Sequence, residues 1–352
     1  MPVRVLVVDD SAFMRKAISM MLDDDPDIEV IGTARDGIEA IEKVKSLKPD
    51  LMTLDVEMPR MDGITALKRI MRENPLPVLM VSSLTVEGAR ATIDALSAGA
   101  VDFIPKQLSY VSLDITRIKG DLISKIKAIT RKRLRIFSAP ISNRISASRK
   151  PRGIKMSGAQ IVTIGISTGG PFSLQKVIPS LPVDFPIPVA IVQHMPPHFT
   201  KSLADRLDSI SRLEVCEAED GMELVKGKVY IAPGGLHMKF KRSPGTVRIN
   251  ITKDPEDTLH RPSVDVMFSS AFDIFGRGVL AAVMTGMGRD GLEGAKLIKE
   301  AGGKIVVQDE ESCVVYGMPR SIVEADLADA VVPLEEIAAT LTSAVTPAQP
   351  AD

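Results

Sequence analysis

Ile161-Val162-Thr163-Ile164-Gly165-Ile166-Ser167-Thr168-Gly169-Gly170-Pro171 is a run of mostly β-branched residues that ends in small ones. The run reads as a buried strand, and the glycines after it permit a sharp turn. Pro171 suits the start of a helix, where a missing N–H costs nothing. Strand, tight turn and helix are the unit from which parallel α/β sheets are assembled. The Gly-x-Ser-x-Gly pattern at 165–169 would lift a serine hydroxyl above such a sheet, with amides nearby to meet an oxyanion. Gly165, Gly169 and Gly170 miss the spacing of a dinucleotide-binding loop. A glycine-rich connection or an anion loop without catalysis is the competing reading of these residues.

The same grammar continues around this stretch. Ile187–Val192, Val229–Ile231, Val279–Met284 and Lys304–Val307 read as further core strands, and Met238–Lys241 with Val247–Ile251 as a hairpin turning at Pro244-Gly245. A nucleophilic serine needs a base and a carboxylate to orient it. The chain has four histidines. His194 directly follows a strand, whereas His198, His237 and His260 lie in or beside loops. Met284-Thr285-Gly286-Met287-Gly288-Arg289-Asp290-Gly291 follows another buried strand, so Asp290 is either the orienting carboxylate or a helix cap. The order Ser167, His194, Asp290 differs from the Ser, Asp, His order of common α/β-hydrolases.

Upstream, Val3–Val8, Ile28–Ile31, Asp50–Leu54, Val78–Val81 and Val101–Ile104 alternate with helical patterns. Five strands in this rhythm predict a doubly wound parallel sheet with its ligand site beyond the strands' carboxyl ends. Asp9, Asp10, Asp55, Ser82 and Lys106 fall at those ends. Three carboxylates together repel one another unless a cation intervenes, and oxygen-only ligands suit Mg²⁺. Lys106 and Ser82 could then hold phosphoryl oxygens while an aspartate attacks. Taken singly, Asp10 is as well explained as a helix cap and Lys106 as a surface lysine.

The 352 residues agree with two domains at roughly 150 residues each. A formal net charge of −1 and 4% aromatic residues argue against a nucleic-acid partner. The basic run Arg131-Lys132-Arg133-Leu134-Arg135 is the one place where nucleic acid could bind, but a solvated hinge is the better reading of such a charge-rich connector. Two cysteines, Cys216 and Cys313, cannot build a disulfide framework. With no apolar run of about 20 residues and no secretory pattern at the start, the expectation is a cytoplasmic protein without membrane insertion.

Val-Val-Asp-Asp-Ser at 7–11, Leu-Asp-Val-Glu-Met-Pro-Arg-Met-Asp-Gly at 54–63, Met-Val-Ser-Ser at 80–83 and Asp-Phe-Ile-Pro-Lys at 102–106 resemble the receiver domain of two-component response regulators. The resemblance implies that Asp55 accepts phosphate from a chemotaxis histidine kinase. It implies that Asp10, Asp55 and the Glu57 carbonyl ligate Mg²⁺, with Asp9 acting through water, and that Ser82 and Phe103 occupy switch positions beside Lys106. Gly-Ile-Ser-Thr-Gly-Gly-Pro at 165–171, Gln-His-Met-Pro at 193–196 and Thr-Gly-Met-Gly-Arg-Asp-Gly at 285–291 resemble the catalytic domain of chemotaxis protein-glutamate methylesterases. That resemblance implies Ser167 as nucleophile, His194 as general base and acid, and Asp290 as orienter. It also places Thr168 near the site and the Met287 amide at the oxyanion.

The substrates it implies are glutamate γ-methyl esters, and selected glutamines, on methyl-accepting chemoreceptors, with no metal in the catalytic half. His-Arg-Pro-Ser-Val-Asp at 260–265 is also a family stretch, without a role that the sequence reveals. The expected organisation is a receiver at 1–125, a basic linker at 126–158, a mostly parallel α/β hydrolase domain with a β-hairpin at 159–343, and a disordered tail at 344–352. By domain order, an unphosphorylated receiver would cover the serine site. The alternatives are a response regulator with DNA-binding output and a general serine esterase.

Overall fold

The structure is a computed structural model that describes residues 1–106, 112–130 (side chains from 118) and 154–346. The basic run at 131–135 and residues 347–352 of the expected tail lie outside the described residues, whereas residues 344 and 345 end the helix Leu334–Val345 rather than belonging to a tail. The chain divides into two compact units, Met1–Arg144 and Ile145–Asp352.

In the first unit, β1 (Val3–Val8), β2 (Ile28–Ala34), β3 (Leu51–Asp55), β4 (Val78–Ser82) and β5 (Asp102–Pro105) form one parallel sheet in the order β2-β1-β3-β4-β5. The two central strands, β1 and β3, are buried along most or all of their length, as expected when helices cover both faces. Each fully buried Val, Leu or Ile side chain there contributes about 1.5–3 kcal/mol. Four helices begin on a polar side chain that accepts from their first-turn amides: Ser11 from Met14, Asp36 from Ile38 and Glu39, Asp62 from Thr65, and Thr85 from Gly88. The order of strands reverses between β1 and β3, so Asp9 and Asp55 flank the switch point where such sheets bind ligands. The last helix of this unit, Ser112–Thr130, continues past residue 125, so positions 126–130 are helical rather than linker.

The second unit holds seven strands, β6 (Ile161–Ile166), β7 (Val189–Gln193), β8 (Glu214–Glu217), β9 (Lys228–Ile231), β12 (Val279–Val283), β13 (Lys304–Gln308) and β14 (Ala330–Val332). They run in the order β14-β13-β12-β6-β7-β9-β8, and every neighbouring pair is parallel. The sequence pattern misses β8 and β14, two short strands at the edges. The hairpin, β10 (His237–Ser243) with β11 (Thr246–Thr252), falls between β9 and β12 in the chain and forms a two-stranded sheet of its own. It packs on the helix Val264–Phe275, where the Phe240 amide donates to Ser270 Oγ at 2.8 Å. The switch point of this sheet lies between β6 and β12. A parallel sheet here removes the alternative of a compact helix-turn-helix output. No helix among the described residues is long and apolar enough to cross a membrane.

Candidate active site

Ser167 is the first residue after β6. Its amide donates to the Thr285 carbonyl at 2.9 Å and its carbonyl accepts from Gly170 at 2.7 Å, which closes the turn. Gly169 has φ 77° and begins the helix Gly170–Val177; a β-carbon there would lie 2.5 Å from Val314 Cγ2. Glycine is therefore required by conformation and by space at once. Across the switch point, a β-carbon on Gly286 would sit 2.8 Å from Ser167 Cβ, so the loop after β12 lies flat against the serine. Gln193, at the end of β7 and almost fully buried, donates from Nε2 to the Ser167 carbonyl at 3.0 Å. Sequence reasoning missed Gln193 and Gly286.

His194 follows β7 and its amide donates to the Ile166 carbonyl at 3.2 Å, holding it beside the serine strand. Its Nε2 meets Asp290 Oδ2 at 2.7 Å. Asp290 carries no proton to give, so Nε2–H donates and the proton is fixed on that nitrogen. Nδ1 is left buried and without a hydrogen-bond partner. Ser167 Oγ makes no hydrogen bond among the described residues; the Ser167 hydroxyl and the free Nδ1 lone pair are therefore unspent. The His260 ring stacks on His194 with centroids 4.1 Å apart.

Asp290 is held by four donors. Ser263 Oγ (2.9 Å) and the Asp265 amide (3.0 Å) donate to Oδ1; the Val264 amide (2.7 Å) and His194 donate to Oδ2. Three of the four come from the first turn of the helix Val264–Phe275, whose N-cap is Ser263. The stretch at 260–265, whose part the sequence left open, brings a helix N-terminus, with its amides and positive dipole end, onto the Asp290 carboxylate. Ser263 ahead of an acidic first turn was the available signal. Burial alone would push the Asp290 carboxyl up, but the hydrogen bonds from His194 and from the Val264 and Asp265 amides hold it well below the usual range. Its neighbour Asp265 is pushed up to about 6 by burial, with the charge of Asp290 adding to it.

Thr168 is buried and its carbonyl accepts from Thr285 Oγ1 at 2.9 Å. The amides of Thr168, Gly169, Met287 and Gly288, in the two loops at the serine, find no acceptor among the described residues, unlike that of Ser167. His198 is exposed, and His237 is fully buried on the hairpin.

The first unit gathers a different set. Ligand oxygens of Asp9, Asp10 and Asp55 lie within 4.8 Å of one another. Lys106 Nζ reaches Asp55 Oδ2 at 2.7 Å and Asp9 Oδ2 at 2.9 Å, and the Val56 amide donates to Asp55 Oδ1 at 2.7 Å. Burial raises the Asp55 carboxyl to about 6 and the charge of Asp9 adds to that, while Lys106 opposes both. Burial works against the Lys106 ammonium, but its two carboxylate partners leave it raised overall. Ser82 is buried and its hydroxyl donates to the Gly88 carbonyl at 3.1 Å, so it is not joined to Asp55. Phe103 is buried, with Lys125 Nζ 5.7 Å from its ring centre, and Glu57 is exposed.

Fold and sites together define a two-part class, a receiver-type unit followed by a parallel α/β unit with a serine at its switch point. Residues 5–115 match the response regulator receiver domain, and residues 162–341 match the CheB methylesterase family. The chain belongs to the CheB methylesterase family. It is 48% identical to a protein-glutamate methylesterase/protein-glutamine glutaminase of Oleidesulfovibrio alaskensis, over 97% of this chain and 99% of that one. Similarity to a protein of the same description from Pyrococcus horikoshii is also 48%, over 97% and 94%. The crystal structure of the Thermotoga maritima CheB methylesterase catalytic domain covers 52% of this chain and 97% of its own, at 48% identity and a TM-score of 0.51.

Proposed function

We propose that this protein hydrolyses glutamate γ-methyl esters on chemoreceptors, releasing methanol, and deamidates receptor glutamines by the same acyl chemistry. The observation that carries the reading is the His194–Asp290 pair at 2.7 Å, with the opposite imidazole nitrogen unpartnered at the strand ends that hold Ser167. Asp290 fixes the proton on Nε2, so Nδ1 takes the Ser167 hydroxyl proton as the oxygen attacks the ester carbonyl. The same Nδ1–H then protonates the departing methoxy oxygen as the C–O bond breaks, giving methanol, or the departing nitrogen of a glutamine, giving ammonia. Water, deprotonated by His194, resolves the acyl-enzyme. The Thr168 and Met287 amides would meet the oxyanion, because the Ser167 amide is committed to Thr285.

Control belongs to the receiver, with Asp55 as the phosphoacceptor and a chemotaxis histidine kinase as the donor. The clustered carboxylates of Asp9, Asp10 and Asp55 are a hard-oxygen set suited to Mg²⁺, with the Glu57 carbonyl as a further ligand. Bound there, the ion would neutralise charge at Asp55 during transfer. Lys106 pairs with Asp55 and stands ready to hold a phosphoryl oxygen. Ser82 and Phe103 are the switch positions, and rearrangement of Ser82 must first release its bond to Gly88.

Methanol release from methylated receptor membranes, with and without a small phosphodonor, tests both halves. Ser167→Ala should fall by about a millionfold in kcat, the scale for losing a triad nucleophile. Asp55→Asn should lose the response to phosphodonor. Hydrolysis that survives in the serine variant overturns the mechanism, and stimulation that survives in the aspartate variant overturns the switch.

A further inference from the structure

His237 is fully buried at the start of β10, on the hairpin rather than on the strands that precede Ser167, His194 and Asp290. Its two ring nitrogens face opposite kinds of partner. Nε2 meets the Pro255 carbonyl at 3.1 Å, an acceptor only, so Nε2 must carry a proton. Nδ1 meets the Ser263 amide at 3.2 Å, a donor only, so Nδ1 must be bare. Thr258 Oγ1, 3.2 Å from Nε2, accepts from the same proton. The partners thus dictate a neutral imidazole in a single tautomer. The Ser263 amide it holds belongs to the residue whose hydroxyl donates to Asp290 and whose successors, Val264 and Asp265, donate their amides to it. A second tie runs in parallel, from the Gly235 amide to the Arg261 carbonyl at 3.0 Å.

We propose that His237 is a positioning residue for the hydrolysis: its unprotonated Nδ1 anchors Ser263, and through it the helix N-terminus that orients Asp290 and His194. The proposal rests on the triad reading above. An imidazolium at this place would present N–H to N–H at Ser263 and break the anchor. Burial lowers the proton affinity of the ring, and the charges that act on it are Arg261 on the loop and Lys239 on the hairpin, which disfavour protonation, and Asp290, which favours it. His237 touches none of the reacting groups, so its loss should lower kcat and leave KM in place.

The test uses the full chain, methylated receptor membranes and three substitutions. Asparagine places a carbonyl oxygen near the position of Nδ1, whereas glutamine places an amide near that of Nε2. His237→Ala and His237→Gln should lose about 10- to 100-fold in kcat, the effect of a lost buried hydrogen bond transmitted to the carboxylate. His237→Asn should recover at least about tenfold over either, with KM unchanged throughout. Equal kcat in the asparagine and glutamine variants overturns the anchor.

A measurement on the unaltered protein keeps the idea testable if the variants unfold. Nitrogen NMR should show a scalar coupling between the Ser263 amide and a neutral, Nε2-protonated histidine. Absence of that coupling, or an Nδ1-protonated ring, overturns the proposal. Ser167→Ala is run alongside. Activity surviving there overturns the triad reading, whereas an inactive serine variant with matching asparagine and glutamine rates overturns the anchor alone.

Discussion

Asp55, buried, and Asp290, largely buried, both stand on the carboxyl side of a parallel sheet, and their surroundings push them in opposite directions. Asp55 has one amide and one lysine as donors, with a second carboxylate nearby, and its carboxyl is raised to about 6. Asp290 has two amides, a hydroxyl and an imidazole, and it is lowered. In its proposed role as phosphoacceptor Asp55 must keep electron density to give away, and it faces fewer donors than Asp290 does. An orienting carboxylate must instead stay ionised and still, which fixed amides at a helix end achieve. The number and rigidity of the donors, more than burial, separate a reacting aspartate from a holding one.

The comparison breaks most readily by making both residues amides. In Asp290→Asn, one acceptor oxygen faces four donors. Its NH₂ group must then oppose either the Asp265 amide or the Val264 amide and His194. We expect kcat to fall about a thousand- to ten-thousandfold, as when a triad carboxylate becomes an amide. Unsatisfied donors should also destabilise the second unit by about 2–4 kcal/mol. In Asp55→Asn the Val56 amide contact survives in one orientation, a buried charge is removed, and Lys106, which then faces the NH₂ group, keeps Asp9 as its partner. Thermal unfolding in the presence of a chelator should therefore show a lowered transition for Asp290→Asn and none for Asp55→Asn. Equal losses at the two positions would mean that donor number is not what distinguishes them.

A smaller change sharpens the account of the holding site. Ser263→Ala deletes one of the four donors to Asp290 and the N-cap that accepts from Val266. The amides of Val264 and Asp265 remain. Stability should drop by about 1 kcal/mol, the usual value of such a cap. Turnover should fall by roughly three- to tenfold, since the carboxylate keeps its other partners. Chemical denaturation and methanol release measure the two effects. A loss as large as that of Asp290→Asn would place the control of Asp290 in the hydroxyl rather than in the helix end.

The sequence made the strand-end residues legible because each candidate group closes or directly follows an apolar run. Ser167, His194, Asp9 and Asp55 could be located by that rule alone. Asp290 required more, since it stands seven residues beyond Val283, the last residue of β12. The supports were hidden for physical reasons. Gln193 acts from within a strand, Gly286 acts by having no side chain, and Ser263 acts across 27 residues of chain. Nothing in local periodicity reports a contact at that separation. The strands Glu214–Glu217 and Ala330–Val332 escaped because they are edge strands of four and three residues, too short to show an alternation.

Asp265 offers the finest test of the comparison, because it sits beside Asp290 and shifts the other way. Its Oδ1 accepts from the Gly294 amide at 2.8 Å, but burial and the charge of Asp290 lift it to about 6. A carboxyl raised in the folded state contributes stability that is complete below its unfolded value near 3.9 and is lost as pH rises through about 6. Asparagine imitates the protonated form and retains an oxygen for Gly294. Asp265→Asn should therefore be more stable than the parent at pH 8, by on the order of 1–2 kcal/mol, and indistinguishable from it near pH 4. Asp290 has the opposite linkage: its stabilisation is present above the unfolded value and fades as pH falls below it. Unfolding curves for the two asparagine variants should then diverge from the parent with opposite sign at pH 8. A stabilising Asp290→Asn, or a destabilising Asp265→Asn, would show that the helix end favours the carboxylate next to it rather than the one it points toward.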